Sequence, residues 1–143
     1  MNKLLVFLLL ITLSIGLAKA QYDTLKTASG LKYVVLKKGT GPQPVKGQKV
    51  KVNYTGKLPN GKVFDTTLKG PSGPFQFKIG SREVIPGWDE GFLLMHAGEK
   101  GILFIPANLA YGAQGVADED NPGLYIIPPN AELMFEVELI SIK

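Results

Sequence analysis

The chain has 143 residues, 45% of them apolar and 20% charged, with 16 Lys and Arg against 12 Asp and Glu, one histidine and no cysteine. That length and apolar content support one domain with a real core and exclude a disordered or collagen-like chain. The lack of cysteine excludes disulfides, thiolate metal sites and thiol nucleophiles, and the lone His96 excludes a multi-histidine metal site.

Taken in chain order, residues 1–20 read as a signal peptide. Lys3 supplies a positive start, Leu4 to Leu17 is a nearly pure apolar run, and Ala18, Lys19 and Ala20 form a small-x-small cleavage site. The run falls short of the roughly 20 apolar residues that span a bilayer, which disfavours an uncleaved anchor. Cleavage removes Lys3 and Lys19, and a net charge of +4 becomes a weak, dispersed excess that argues against nucleic-acid or membrane binding. The chain is therefore expected to be exported, periplasmic or secreted, with no membrane contact after cleavage.

Residues 21–30 are polar and read as a loose N-terminal arm; residues 31–143 form the domain proper. Tyr33 to Leu36, Phe75 to Ile79 and Ile102 to Ile105 are short strand candidates. Val50, Val52 and Tyr54 alternate with polar residues, as do Leu133, Phe135, Val137 and Leu139, so both runs predict strands with one face on a core. Pro59, Asn60 and Gly61 mark a turn between two runs. One helix is predicted, starting at Pro86, with Trp88, Phe92 and Met95 on one face and a stop at Ala97 and Gly98. An antiparallel sheet with one short helix is an α+β domain.

Several motifs fail on inspection. Gly56 to Lys62 has phosphate-loop spacing, but Val63 stands where a hydroxyl should bind Mg²⁺, and the segment holds a turn. Asp118, Glu119, Asp120 and Asn121 lack the spacing of an EF-hand and read as a solvated acidic loop. The sequon at Asn53 lies in mid-strand. His96 has no adjacent nucleophile. What remains is a set of aromatic side chains, Tyr54, Phe64, Trp88 and Phe135, either core packing or the wall of an apolar cleft. Pattern leaves both open.

At these residues the sequence resembles the FKBP-type peptidyl-prolyl cis-trans isomerases. The stretches VNYTGKLPNGKVFDTT (52–67), PFQFKIGSREVIPGWDEGFLLM (74–95), AYG (110–112) and IIPPNAELMFEVEL (126–139) carry the resemblance, in the family's order and nearly its spacing. It implies a curved antiparallel sheet wrapped around one short α-helix. It also implies a proline pocket with Trp88 as floor, Tyr54, Phe64, Phe75 and Phe135 as walls, and Val84, Ile85 and Tyr111 at the rim. Ile126 and Ile127 would close the flap side. Tyr54, Asp65, the Ile85 backbone N–H and the Tyr111 hydroxyl would serve catalysis, with no metal and no cofactor.

The expected partners are proline-containing segments of unfolded or folding proteins and the macrocyclic inhibitors of the family, with the chain acting as a monomer. A non-catalytic proline binder or holdase is the alternative. Two departures stand out. The interval from Tyr111 to Ile126 is several residues longer than in compact relatives, and like charge at Asp118, Glu119 and Asp120 predicts an extended, solvated loop there. The loop between Asp65 and Phe75 is one residue longer and carries no Arg.

Overall fold

The computed structural model describes residues 21–143. The expected signal peptide lies outside the described residues. Among the described residues nine strands form, β1 (Thr24–Lys26), β2 (Lys32–Lys37), β3 (Lys49–Lys57), β4 (Val63–Thr66), β5 (Phe75–Lys78), β6 (Lys100–Ile105), β7 (Val116–Ala117), β8 (Tyr125–Ile127) and β9 (Leu133–Ile142), with one α-helix, α1 (Pro86–Gly91). The main sheet is antiparallel in the order β1-β2-β6-β9-β3-β4, and β5 pairs with β3 beside β4. This is the expected α+β architecture, a curved sheet with one short helix on its concave face.

The two alternating runs behave as their patterns require. On β9, Leu133, Phe135, Val137 and Leu139 are buried, and on β3 so are Val50 and Val52. The β3–β9 ladder passes over Ile140 of β9 opposite the Lys51–Val52 step, an irregularity that adds twist and curl to the sheet. The core gathers under that curl, with Leu31, Tyr33, Phe92, Met95, Leu103, Ile105 and Leu133 fully enclosed. No helix among the described residues is long and apolar enough to cross a membrane.

The helix is shorter than its apolar spacing predicts. Pro86 does open it, and Trp88, Phe92 and Met95 are all buried, but α1 ends at Gly91, a 3₁₀ turn follows over Phe92–Leu94, and Met95 is already extended. His96 and Ala97 therefore lie beyond it. The reason is glycine at both contacts with the sheet. A Cβ on Gly87 would collide with the Ile105 side chain, and one on Gly91 would come within 2.7 Å of Leu103 Cδ2. These glycines let the helix lie directly on β6, yet each weakens propagation by about 1 kcal/mol relative to alanine. Close docking is gained and helix length is lost.

Two segments are more ordered than their composition suggests. The 21–30 arm is not loose: Thr24, Leu25 and Lys26 pair with Val34, Tyr33 and Lys32, and the Val35 N–H donates to the Asp23 carbonyl at 2.9 Å. An edge strand needs only backbone partners, so its three exposed side chains carry no burial signal. The long interval before Ile126 folds back as a hairpin, with Val116 opposite Ile127 and Ala117 opposite Tyr125. Its acidic turn is not an extended loop. Asp118 Oδ1 accepts the N–H groups of Asp120 and Asn121, and the Asn121 side chain donates to Oδ2 at 3.0 Å. These bonds, the side-chain bond from Asn121 first, hold the Asp118 pKa below its ordinary value. A satisfied carboxylate outweighs repulsion from its charged neighbours.

Candidate active site

The helix, β3, β4, the starts of β5 and β9, and the loop after β5 line a cleft of about 190 Å³. Trp88, 5% exposed, is packed edge-to-face among other rings. Its centroid lies 4.7 Å from Tyr54 and 5.3 Å from Phe135, at interplanar angles of 77° and 80°. Phe64 and Phe135 meet at 5.6 Å and 88°, and Phe75 caps Tyr54 at 6.3 Å. Such tilted contacts satisfy the ring quadrupoles and hold each ring in one orientation. The wall also depends on Gly56, because a Cβ there would sit 2.5 Å from Phe64 Cζ and 2.8 Å from Phe135 Cε1. The indole N–H of Trp88 is buried without an acceptor among the described residues. The floor is apolar but for that one donor.

Tyr54 is fixed at both its backbone and its hydroxyl. Its N–H donates to Thr67 Oγ1 at 3.0 Å, its carbonyl accepts the Thr67 N–H at 3.0 Å, and its hydroxyl donates to Asp65 Oδ2 at 2.5 Å. Burial first, and then Asp65, pushes the Tyr54 pKa well above the ordinary tyrosine value. Tyr111 is also raised, by burial and then by the charge of Asp65. Both hydroxyls therefore keep their protons at neutral pH. The Tyr54 proton is engaged with Asp65, while that of Tyr111, 40% exposed at the cleft mouth, is available.

Ile85 is the residue at which the chain enters α1. Its carbonyl accepts the N–H of Trp88 at 2.9 Å, and its own N–H has no protein acceptor among the described residues. Val84 and Ile85 line the cleft together with Glu83, whose carboxylate accepts the Lys78 N–H at 2.8 Å. Larger surface grooves exist, including one of about 470 Å³ beside His96 and Glu99, but aromatic walls do not line it. Chemistry, not size, picks out this cleft.

The structure brings Tyr54, Phe64, Asp65, Phe75, Val84, Ile85, Trp88, Tyr111 and Phe135 to this cleft. It does not bring Ile126 or Ile127 to its lining. On β8, Ile127 opposes Val116 and is 3% exposed in the core, whereas Ile126 is 41% exposed. Strand alternation sends one inward and the other to solvent, which the bare Ile-Ile pair could not reveal. Glu83 was missed by the sequence reading. Its only signal is adjacency to the two rim residues, since it carries no periodic pattern.

Residues 41–140 match the family profile described as FKBP-type peptidyl-prolyl cis-trans isomerase. FK506-binding protein 4 of Dictyostelium discoideum is 52% identical over 79% of this chain, but the chain spans only 28% of that relative's length. FK506-binding protein 2 of the same organism is 43% identical over 99% of both chains. Among solved structures, the crystal structure of AtFKBP13 aligns with a TM-score of 0.77 at 41% identity, covering 85% of this chain and 99% of that one.

Proposed function

The chain belongs to the FKBP-type peptidyl-prolyl cis-trans isomerases, and from that premise we propose that its aromatic cleft accelerates rotation about X-Pro bonds in polypeptide substrates. The observation that carries the reading is the cleft itself: a buried tryptophan floor ringed by four aromatic side chains, with polar groups confined to the rim apart from the indole N–H. Rotation of an X-Pro bond must break amide resonance, against a barrier of roughly 18–20 kcal/mol for peptide bonds in general. The planar amide is more polar than the twisted one and is better solvated by water. A cleft that replaces water with rings therefore favours the twisted form. Each reduction of about 1.4 kcal/mol accelerates the reaction tenfold, so modest effects suffice.

In this reading the proline ring rests on Trp88 between Tyr54, Phe64, Phe75 and Phe135. The free N–H of Ile85 and the protonated Tyr111 hydroxyl donate to substrate carbonyls and hold one side of the bond while the other turns. Asp65 orients Tyr54 and places negative charge at the rim. The finer part of the proposal is export, with residues 1–20 as signal peptide, 21–30 as arm and 31–143 as the isomerase domain acting as a monomer on proteins that fold outside the cytoplasm. The apolar run ending at Ala18, Lys19 and Ala20 supports it.

The test is an isomerisation assay on a series of X-Pro tetrapeptides. Saturable turnover is expected. Binding without turnover would replace the enzyme with a proline-segment binder or holdase.

A further inference from the structure

Directly after the floor tryptophan, α1 carries two acidic residues that reach to different parts of the chain. Glu90 turns to the arm, where the Ser29 hydroxyl lies 2.6 and 2.8 Å from its two carboxylate oxygens. Asp89 turns to the loop that follows β5. Its Oδ1 accepts the Gly80 N–H at 2.7 Å and its Oδ2 accepts the Arg82 N–H at 3.0 Å. The loop so held contains an unfavourable conformation, because Arg82 has φ of +61° in the left-handed region that side chains with a Cβ avoid. Something must hold it there.

Only Glu83, Val84 and Ile85 separate Arg82 from the start of the helix, and all three line the cleft. The far end of this short rim is tied by the same residue, since the Asp89 N–H donates to the Ile85 carbonyl at 3.3 Å. We propose that Asp89 is a positioning residue of the cleft: its carboxylate locks the Gly80–Arg82 turn and so sets where Val84 and the Ile85 N–H meet a prolyl substrate. Two charge-assisted bonds from one rigid helical side chain leave the rim little freedom. The kinetic consequence rests on the isomerase reading; the structural one does not.

The experiment compares Asp89→Asn and Asp89→Ala with Glu90→Gln, which removes charge from the same helix at a carboxylate bonded to Ser29 of the arm and not to the Gly80–Arg82 turn. Three quantities are read on the full chain: KM and kcat on an X-Pro tetrapeptide, amide hydrogen exchange at Gly80 and Arg82, and thermal unfolding. Asp89→Asn replaces one acceptor oxygen by an NH₂ donor facing a backbone N–H, and it carries the test if the alanine variant fails to fold. It should raise KM about tenfold with kcat changed by about twofold or less, because lost ground-state anchoring acts mainly on KM. Exchange at Gly80 and Arg82 should quicken, and Glu90→Gln should do neither.

An unchanged KM, unchanged exchange at those amides, or an equal KM rise in Glu90→Gln would each overturn the proposal. If the parent protein shows no turnover, the isomerase reading fails on its own. Affinity for a proline peptide, read from Trp88 fluorescence, then replaces KM, and the same comparison with amide exchange decides the role of Asp89.

Discussion

Two tyrosine–carboxylate pairs occupy different halves of the sheet. On one side, the Tyr33 hydroxyl on β2 donates to Glu99 Oε2 at 2.8 Å, while Glu99 Oε1 accepts the Gly39 N–H at 3.3 Å. Tyr33 is fully enclosed and Glu99 is 4% exposed. On the other, the Tyr54 hydroxyl on β3 donates to Asp65 on β4 at 2.5 Å, and Asp65 faces solvent at the mouth of the cleft. The bonds are of one kind, and burial of the tyrosine raises the pKa in both, with the carboxylate adding to it. What differs is spare capacity. Both oxygens of the enclosed carboxylate are used, which is how a buried polar group avoids the cost of desolvation. Asp65 keeps an open side next to an apolar floor and a second tyrosine. A pair of this type is glue where it is closed, and it keeps a carboxylate face free for a ligand where it is open.

Breaking the closed pair should produce the largest effect. Glu99→Ala leaves the buried Tyr33 hydroxyl and the half-buried Gly39 N–H without their acceptor, and about 3 kcal/mol of stability should be lost. Urea unfolding measures that loss, and turnover per folded molecule should stay at the parent level. A drop in turnover without a loss of stability would reverse the assignment of the two pairs. The open pair should respond the other way. Asp65→Ala should slow isomerisation about tenfold, equivalent to about 1.4 kcal/mol of transition-state stabilisation, while the unfolding midpoint hardly moves. Unchanged turnover would remove Asp65 from the active cleft.

The smallest effect sharpens the comparison through pH. Folded Tyr33 and Tyr54 both titrate above the ordinary tyrosine value of 10.0. The folded chain then keeps protons that the unfolded chain has released, so this stability is complete below pH 10 and drains away as pH rises beyond it. For the enclosed Tyr33 the loss between pH 10 and 11 should be about 1 kcal/mol, and Tyr33→Phe should flatten that slope. A stability that held constant or rose across this interval would contradict the raised pKa.

The same contrast explains what the sequence made legible. β3 and β9 were readable because one face of each lies on the core, so burial writes a period of two into the residues. β1 and the β7–β8 hairpin were not, because they are held by backbone pairing and their side chains stay largely exposed. The helix face was visible, but Phe92 and Trp88 share it, and only the three-dimensional setting makes one a core residue and the other a floor. The resemblance located nine of the cleft's lining residues. It did not single out Glu83 or Asp89, whose carboxylates act on backbone N–H groups that leave no mark in a side-chain pattern, and it placed Ile126 and Ile127 beside a cleft they do not line.

Turnover and the Trp88 floor can be joined in one experiment. Trp88 is the only tryptophan of the chain. Its fluorescence can be titrated with a proline-containing competitor while isomerisation of an X-Pro tetrapeptide is followed in the same solution. The fluorescence change and the loss of turnover should saturate together, with one midpoint. Turnover abolished with the tryptophan signal unmoved, or a saturated signal with turnover intact, would place the chemistry somewhere other than this cleft.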